Sequence, residues 1–210
     1  MNENNFIGIA TEELFRVFDI LNEYYFQKKL QAPMITIQRA LSKNNLGYFT
    51  LAQIWRAKEN IRPRHEINIS AEHLKDKAPE VVETLLHEMV HYSNRSSGVI
   101  DCNGNIHNLK FKQLAESVDL KVEKSKKYGY GFTSCSEKLL TFINDTIKPS
   151  ADAFSYFRQA DEEKGGGGTA KPKSTFTFKC PHCNAVAKAK NDVKIVCGAC
   201  LCDFEIIDDD

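Results

Sequence analysis

Residues 80–92 read Glu-Val-Val-Glu-Thr-Leu-Leu-His-Glu-Met-Val-His-Tyr and contain His-Glu-x-x-His inside an apolar run. On a helix of 3.6 residues per turn, positions four apart lie on one face, so His87 and His91 can direct their imidazoles at one metal ion. Glu88 lies one position further round the helix, within reach of a water molecule at that metal, which suits a general base. The motif therefore predicts a zinc-dependent hydrolase.

The same five-residue pattern also occurs by chance, in which case both histidines are ordinary surface or core residues. The flanking sequence favours a real site, because residues 78–80 (Ala-Pro-Glu) are typical of a helix start. An apolar stripe that would bury this helix consists of Val82, Leu85, Leu86, Met89 and Val90. Since a buried helix with two histidines and a glutamate needs partners for them, the context favours a metal site.

The composition is that of an ordinary globular chain. Its 210 residues can hold one medium domain, or one larger domain with a small appendage. Basic and acidic residues number 28 each, so no global charge favours nucleic acid or an anionic membrane. No apolar run approaches the roughly 20 residues that cross a bilayer, and residues 1–5 lack the features of a secretory signal. We therefore expect a cytoplasmic protein with no membrane partner.

Helix and strand patterns before and after the motif predict an α+β fold. The first helix is predicted from a Thr11 cap and from apolar residues at helical spacing, namely Leu14, Phe18, Leu21 and Tyr25. Three strand-like segments follow at residues 34–38, 47–51 and 66–70, and they fit a small three-stranded sheet laid on that helix. Loops are predicted at residues 93–105 and 121–131, and further helices from His107 and around Leu139.

Five of the seven cysteines fall in the last 31 residues, which indicates a metal site in a reducing cytosol. Cys180-x-x-Cys183 and Cys197-x-x-Cys200 are paired knuckles separated by 13 residues. Thiolates two residues apart in a tight turn can share one metal, and two such turns complete a closed tetrahedral site. The C-terminal segment is therefore predicted to be a zinc ribbon with one structural zinc ion.

His182 and Cys202 are alternative ligands for this site, although the regular knuckle spacing disfavours them. The apolar residues that so small a module could bury are Phe176, Phe178, Val186, Ile195, Val196 and Phe204. This short list predicts a ribbon that folds only with its metal. Cys102 and Cys135 lie apart from the ribbon and are assigned no role.

A charged stretch followed by Gly165–Gly168 predicts a flexible linker. We place the linker at residues 159–173, between a first domain at 6–158 and the ribbon at 174–210. Residues 171–202 carry a net charge of +5, which would suit DNA phosphates, but acidic residues follow at once in 203–210. A DNA-binding ribbon and a merely solvated lysine-rich surface therefore both stay open.

A catalytic zinc usually has three protein ligands and one open position for water, so a third donor is expected downstream of His91. One large class of His-Glu-x-x-His enzymes has Gly and His at the third and sixth positions after the second histidine. Those positions are Asn94 and Ser97 here, which excludes that class. His107 and Glu116, 16 and 25 residues after His91, both stay candidates.

Residues 107–111, His-Asn-Leu-Lys-Phe, resemble a segment of the SprT-like family, also called Spartan metalloproteases, in which a third histidine opens His-x-x-x-Phe. The glycine that often follows this histidine is Asn108 in this chain. The opening helix, the three strands, the motif helix and the terminal ribbon also follow the order of that family, so the resemblance covers residues 11–202. It ranks His107 above Glu116 as the third ligand.

The resemblance implies a zincin-like metalloprotease domain, with one catalytic and one structural Zn²⁺. It implies His87, His91 and His107 as ligands of the catalytic zinc, Glu88 as the base in peptide-bond hydrolysis, and a protein substrate. Because eukaryotic members cleave proteins crosslinked to DNA, it also implies a DNA-associated substrate.

Two rival hypotheses stay open. One is a non-catalytic DNA-binding or adaptor protein with a structural metal, and the other is a hydrolase of a non-peptide amide. The intact Glu88 argues against the adaptor, because a closed structural site needs four ligands and no base. The motif does not separate a peptidase from an enzyme that acts on another amide.

Overall fold

A computed structural model describes residues 5–42, 44–58, 62–159, 176–190 and 193–207 of the chain. The chain divides into two compact units, residues 1–160 and 161–210. The predicted linker, apart from residue 159, lies outside the described residues. Within the described part of the chain, no helix combines the length and apolar character needed to cross a membrane.

The first unit is a mixed α+β structure with small sheets. Its elements in chain order are α1 (Phe6–Phe26), β1 (Met34–Gln38), β2 (Gly47–Phe49), β3 (Glu66–Ser70), α2 (Ala78–Ser96), β4 (Cys102–Asn103), β5 (Ile106–His107), α3 (Leu109–Ser117), β6 (Leu120–Ser125), β7 (Gly129–Cys135) and α4 (Glu137–Phe142). Short 3-10 turns follow β3 and precede the end of the unit, at Ala71–His73 and Ala151–Phe154, and a π-helical turn, Ile143–Ile147, extends α4.

Helix α1 begins at Phe6, six residues before the position that a Thr11 cap predicts. The cap is instead Asn5, whose side chain accepts a hydrogen bond from the Gly8 amide at 3.1 Å. The Thr11 hydroxyl donates to the Ile7 carbonyl within the helix at 2.7 Å. The helix ends at Phe26, and Gln27 follows in the left-handed conformation with a φ of 55°.

A three-stranded sheet follows in the order β1-β3-β2, with β1 parallel and β2 antiparallel to β3. Strands β1 and β3 have the predicted bounds, whereas β2 ends at Phe49, two residues early. Ile67 and Ile69 of the central strand belong to the hydrophobic core of the unit. Strand β2 is left at an edge of this sheet.

A second, four-stranded sheet has the order β4-β5-β7-β6 and was not predicted. The prediction of a loop at residues 121–131 is wrong, because most of this segment forms the β6–β7 hairpin. In β6 the half-buried Val122 stands between the exposed residues Lys121 and Glu123, so the charged side chains obscured the strand pattern. The predicted loop at 93–105 is also partly wrong, since α2 continues to Ser96 and β4 follows.

Helix α2 lies at the centre of the first unit, in contact with α1, α3 and strands of both sheets. The predicted apolar stripe of α2 is completely buried. At its start, the Glu80 carboxylate accepts a hydrogen bond from the Lys77 amide at 3.1 Å, which satisfies one free N–H group of the first turn. Burial of this stripe fixes the rotation of α2, and thereby the direction in which its histidines point.

The second unit contains an antiparallel sheet in the order β10-β8-β9, formed by β8 (Phe176–Lys179), β9 (Val186–Ala189) and β10 (Glu205–Ile207). Its buried hydrophobic side chains among the described residues are Phe178, Cys180 and Cys197. Val186 and Val196, which the sequence placed in this core, are exposed by 58% and 56%. A module this small has too little interior to cover them, so the cysteines supply much of what is buried.

Candidate metal centres

Three histidines meet at one point in the first unit, and we call them the histidine cluster: His87 and His91 on α2, and His107 at the end of β5. The Nε2 atom of His107 lies 3.2 Å from Nε2 of His87 and 3.0 Å from Nε2 of His91. Zinc–nitrogen bonds of about 2.0–2.1 Å in a tetrahedral site separate two ligand nitrogens by about 3.3 Å. The spacing therefore fits a zinc ion bound by all three imidazoles.

The helix cap directly after His107 and the neighbouring strand β7 together fix the position of this ring. Directly after it, the Asn108 side chain caps α3 by accepting hydrogen bonds from the amides of Lys110 and Phe111 at 2.7 and 3.3 Å. This cap gives the residue that replaces the expected glycine a local structural role. On strand β7, a Cβ at Gly131 would lie 2.5 Å from Nδ1 of His107, so this ring position requires glycine there.

The carboxylate of Asp101 is hydrogen bonded to Nδ1 of His91, the ring nitrogen that is directed away from the histidine cluster. Its Oδ2 accepts a hydrogen bond from Nδ1 of His91 at 2.8 Å and another from the side-chain Nδ2 of Asn94 at 3.0 Å. In the neutral ring this bond keeps the proton on Nδ1, so Nε2 can present its lone pair to a metal ion. Cys102, to which the sequence assigned no role, also lies beside His91.

The other two histidines have the same arrangement with different partners. Nδ1 of His87 lies 2.8 Å from the Thr133 hydroxyl, and Nδ1 of His107 lies 3.3 Å from the Tyr128 carbonyl oxygen. Each ring therefore has a hydrogen-bonding partner at Nδ1 and directs its Nε2 at the centre of the cluster. The donor set is that of a three-histidine site with room for a further ligand, as catalytic zinc sites have.

Burial and neighbouring charges shift the pKa values of this site in the metal-free protein. Burial raises the pKa of Glu88 to about 7 and lowers the pKa of His107 to about 4. Burial also lowers the pKa of His87. For His91 burial acts in the same direction, but hydrogen bonds to Asp101 and Cys102 and the charge of Glu88 outweigh it and raise the pKa to about 10.

A cleft of about 500 Å³ opens above the histidine cluster. Edge strand β2 borders one side and residues 131–133 of β7 border the other. A Cβ at Gly47 would lie 2.6 Å from the Asn68 carbonyl and 3.5 Å from the side chain of Glu88, so β2 passes close to the motif helix. The described residues that line the cleft include three carboxylates and neither lysine nor arginine. The cleft thus offers space for a substrate directly over the metal-facing nitrogens.

The model of the SprT-like family matches residues 14–129. The chain belongs to the SprT-like family. Searches of the curated proteins and of the solved structures found no match. Membership of the family indicates a metallopeptidase-like function, and the matched segment contains the histidine cluster and Glu88.

Glu116, the competing candidate for the third ligand, lies away from the histidine cluster of this SprT-like chain. It is on α3, where its carboxylate is 3.5 Å from the Lys112 ammonium group. Among the described residues it belongs to no group that could hold a metal. The structure thus brings His107, rather than Glu116, next to His87 and His91.

The two supporting residues Asp101 and Thr133 were missed by sequence reasoning. Asp101 follows the motif helix after a turn whose length no spacing rule fixes. Thr133 lies in a hairpin strand just after a segment predicted as loop. A correct β6–β7 pairing would have been the only signal for Thr133, since it places this side chain opposite Val122.

The ribbon cysteines form the second candidate metal centre, outside the segment that matches the family. The sulfur atoms of Cys180, Cys183, Cys197 and Cys200 all lie within 4.8 Å of one another, which fits one bound metal ion. The sulfur atoms of Cys183 and Cys197 are 3.7 Å apart. Two sulfur ligands of one tetrahedral zinc ion are expected to be roughly 3.8 Å apart, because each zinc–sulfur bond is about 2.3 Å long. The sulfur atom of the alternative ligand Cys202 lies 3.6 Å from that of Cys180, next to the group of four cysteines.

Proposed function

We propose that the chain is a zinc metalloendopeptidase, with a zincin-like protease domain as its first unit and a zinc ribbon as its second. The observation that carries the proposal is the convergence of three Nε2 atoms beneath an open cleft that also contains the Glu88 carboxylate. A closed structural site would need a fourth protein ligand and no base. When bound, a zinc ion supplies Lewis-acid chemistry at the histidine cluster.

Glu88 is the group that moves protons in this proposal. Its carboxylate accepts a proton from the attacking water and later donates it to the amine of the cleaved peptide bond. Burial raises the pKa of this carboxyl group in the metal-free protein, which supports its use as a proton acceptor. Nε2 of His87, His91 and His107 carries no proton in either step, and through this atom the three residues would hold the metal.

The substrate in this proposal is an extended segment of protein. Strand β2 pairs only with β3 among the described residues, and its residues Gly47–Phe49 line the cleft. An extended peptide can hydrogen bond to such an edge as an added strand, which requires a locally unfolded substrate. This geometry favours a peptide over a small non-peptide amide.

The test is cleavage of an unfolded protein by the wild-type chain and by Glu88→Gln, with the zinc content of both measured. We expect cleavage by the wild type and a rate lower by about 10²–10⁴-fold in the variant, with zinc retained. An unchanged rate in Glu88→Gln would contradict the role of Glu88 as the general base. No cleavage by a fully zinc-loaded wild type would favour the non-catalytic adaptor.

We propose DNA-associated proteins, including proteins crosslinked to DNA, as the substrate class. The supporting observation is a set of exposed ribbon lysines that includes Lys188 and Lys190, whereas Lys194 is paired with Asp203 at 3.2 Å. Single-stranded DNA should accelerate cleavage of a basic unfolded protein by the wild type. The double variant Lys188→Ala/Lys190→Ala should lose the acceleration and keep the DNA-free rate. Equal rates with and without DNA would contradict this substrate class.

A further inference from the structure

We propose that Glu66 is a positioning residue for the substrate, which acts through Tyr48 and Trp55 to fix the strand β2 that borders the cleft. The inference rests on the proposed docking of an extended substrate on β2. Glu66 lies on the central strand β3 and is not among the described residues that line the cleft. Neither the His-Glu-x-x-His motif nor the histidine cluster assigns a role to it.

The Glu66 carboxylate joins three segments of the chain. Its Oε1 atom accepts hydrogen bonds from the Thr36 hydroxyl at 2.6 Å and from the Gln38 side-chain amide at 3.1 Å, both on β1. Oε1 also accepts from the Tyr48 hydroxyl on β2 at 3.2 Å. Oε2 accepts from Nε1 of Trp55, in the segment after β2, at 2.8 Å. One side chain therefore ties β2 and the segment after it to β1.

The hydrogen bonds of Glu66 are made in a buried environment, since only 3% of the residue is exposed. An ionised carboxylate only accepts and offers about four lone-pair positions, and four donors meet it here. Hydrogen bonds to a charged acceptor are about twice as strong as those between neutral groups. Burial and the charge of Glu66 also raise the pKa of Tyr48, which keeps its hydroxyl protonated as a donor.

The backbone of Glu66 contacts the same segment of chain. Its amide donates to the Thr50 hydroxyl at 2.9 Å, and its carbonyl accepts from the Thr50 amide at 3.0 Å. The backbone carbonyl of Leu51 accepts a hydrogen bond from Nε of Arg95 on α2 at 3.0 Å. The segment is thus held to Glu66 at Tyr48, Thr50 and Trp55, on both sides of the cleft residue Leu51.

The position of β2 matters because an added strand binds through backbone hydrogen bonds. Strand β2 has three residues and pairs only with β3 among the described residues, so its ladder supplies few bonds to keep it in place. If the carboxylate is weakened, the strand becomes less ordered, and a substrate must order it again on binding. That cost lowers affinity for the substrate without touching Glu88 or the three histidines.

A role in fold stability alone makes a different prediction. Loss of Glu66 would then lower the free energy of unfolding and leave the substrate affinity of the folded chain unchanged. Glu72 offers a matched control, since it is a second buried carboxylate, 8% exposed and two residues after β3. It accepts from the Ala40 amide at 2.8 Å and lies 3.3 Å from Nε of Arg158. Neither partner is among the described residues that line the cleft.

The first test measures binding of a fluorescently labelled unfolded protein to the zinc-loaded Glu88→Gln chain, which keeps the cleft and lacks the proposed base. Addition of Glu66→Gln should weaken binding by about 5–30-fold. The amide has one acceptor oxygen in place of two, so its NH₂ group faces donors on one side. Addition of Glu72→Gln should leave the affinity unchanged. Equal affinity with Glu66→Gln and with Glu72→Gln, or no binding by the Glu88→Gln chain, would overturn the proposal.

Steady-state kinetics of the active chain separate positioning from chemistry. Glu66→Gln should raise KM by a similar factor and leave kcat and the zinc affinity of the histidine cluster unchanged. A fall in kcat with KM unchanged would overturn the proposal. If the wild type binds the unfolded protein and does not cleave it, the proposed peptidase activity fails, and the affinity comparison still decides the role of Glu66.

Tyr48→Phe keeps the ring and removes one donor, so it serves as the test if Glu66→Gln does not fold. It should weaken binding of the unfolded protein by about 2–10-fold. Where both variants fold, Glu66→Gln should have a smaller effect in the Tyr48→Phe background than alone, because the two changes remove the same hydrogen bond. Unchanged affinity in Tyr48→Phe, or fully additive effects, would overturn the proposal.

Discussion

At the scale of single residues, the histidine cluster depends on groups that lie behind the rings as much as on the rings themselves. The motif alone identified His87, Glu88 and His91, because helical spacing fixes their common direction. His107 needed a resemblance to be preferred over Glu116, since the loop before it has no fixed length. Asp101 could not be predicted, because nothing in the local sequence shows which polar residue returns to Nδ1 of His91.

Asp101→Asn is expected to weaken zinc binding at the histidine cluster by about 10–100-fold. The asparagine keeps the shape but loses the charge that orients and polarises His91, whose Nδ1 is 2.8 Å from the carboxylate. Chelator competition measures the effect, and Asp152→Asn, an exposed aspartate on a distant turn, is the control. Equal zinc affinity in the two variants would show that Asp101 does not support the site.

Glu88 should make the stability of the metal-free protein depend on pH. Burial raises its pKa from 4.5 to about 7, so the folded state binds more protons than the unfolded state between these values. The Glu88 contribution to the free energy of unfolding therefore falls as pH rises across this window, by roughly 3 kcal/mol. Urea unfolding of wild type and Glu88→Gln should show the stability of the variant rising relative to wild type from pH 4.5 to 7. A constant difference would contradict the shift.

At the scale of elements, the site is made by the close approach of strands to the motif helix. The sequence predicted β1, β3 and the core-facing side of α2, because alternating and helical apolar patterns are clear there. It missed the β6–β7 hairpin, whose solvent-facing lysines resemble a loop. That hairpin contains Thr133, which contacts His87, and Gly131, which packs against His107. Because its polar composition led to the prediction of a loop, these two contacts of the site were not predicted.

Gly131→Ala tests the fit between β7 and His107. Its Cβ would lie 2.5 Å from Nδ1 and 2.8 Å from Cε1 of the ring, so the imidazole must leave its present position in the histidine cluster. We expect zinc affinity of the histidine cluster to fall at least about 10-fold. Ser134→Ala, at an exposed position on the same strand, is the control. If Gly131→Ala binds zinc like the control, the ring is not held as described.

At the scale of the whole molecule, the two units differ in what stabilises them. The first unit has an extensive hydrophobic core around α2, whereas the buried hydrophobic residues described in the second are Phe178, Cys180 and Cys197. The paired knuckles predicted this dependence on cysteine, and the exposure of Val186 and Val196 makes it stronger than the sequence indicated. Metal should therefore be needed for folding in the second unit and for chemistry in the first.

Removal of zinc by a strong chelator should unfold the ribbon and leave the first unit folded. Hydrogen exchange measured by mass spectrometry should show loss of amide protection in residues 176–207, with protection retained in α1 and α2. Re-addition of zinc should restore the ribbon, because its ligands are free thiols. Protected ribbon amides in the metal-free chain would contradict this division.

The assignment of the three-histidine zinc site is tested most directly by counting zinc ions per chain with native mass spectrometry in wild type, His107→Ala and Glu116→Ala. Wild type and Glu116→Ala should each bind two zinc ions, one in the ribbon and one in the histidine cluster. His107→Ala should bind one, because two imidazoles from α2 hold the ion far more weakly than three. A chain that keeps two zinc ions without His107, or loses one without Glu116, would contradict the assignment of the catalytic metal site.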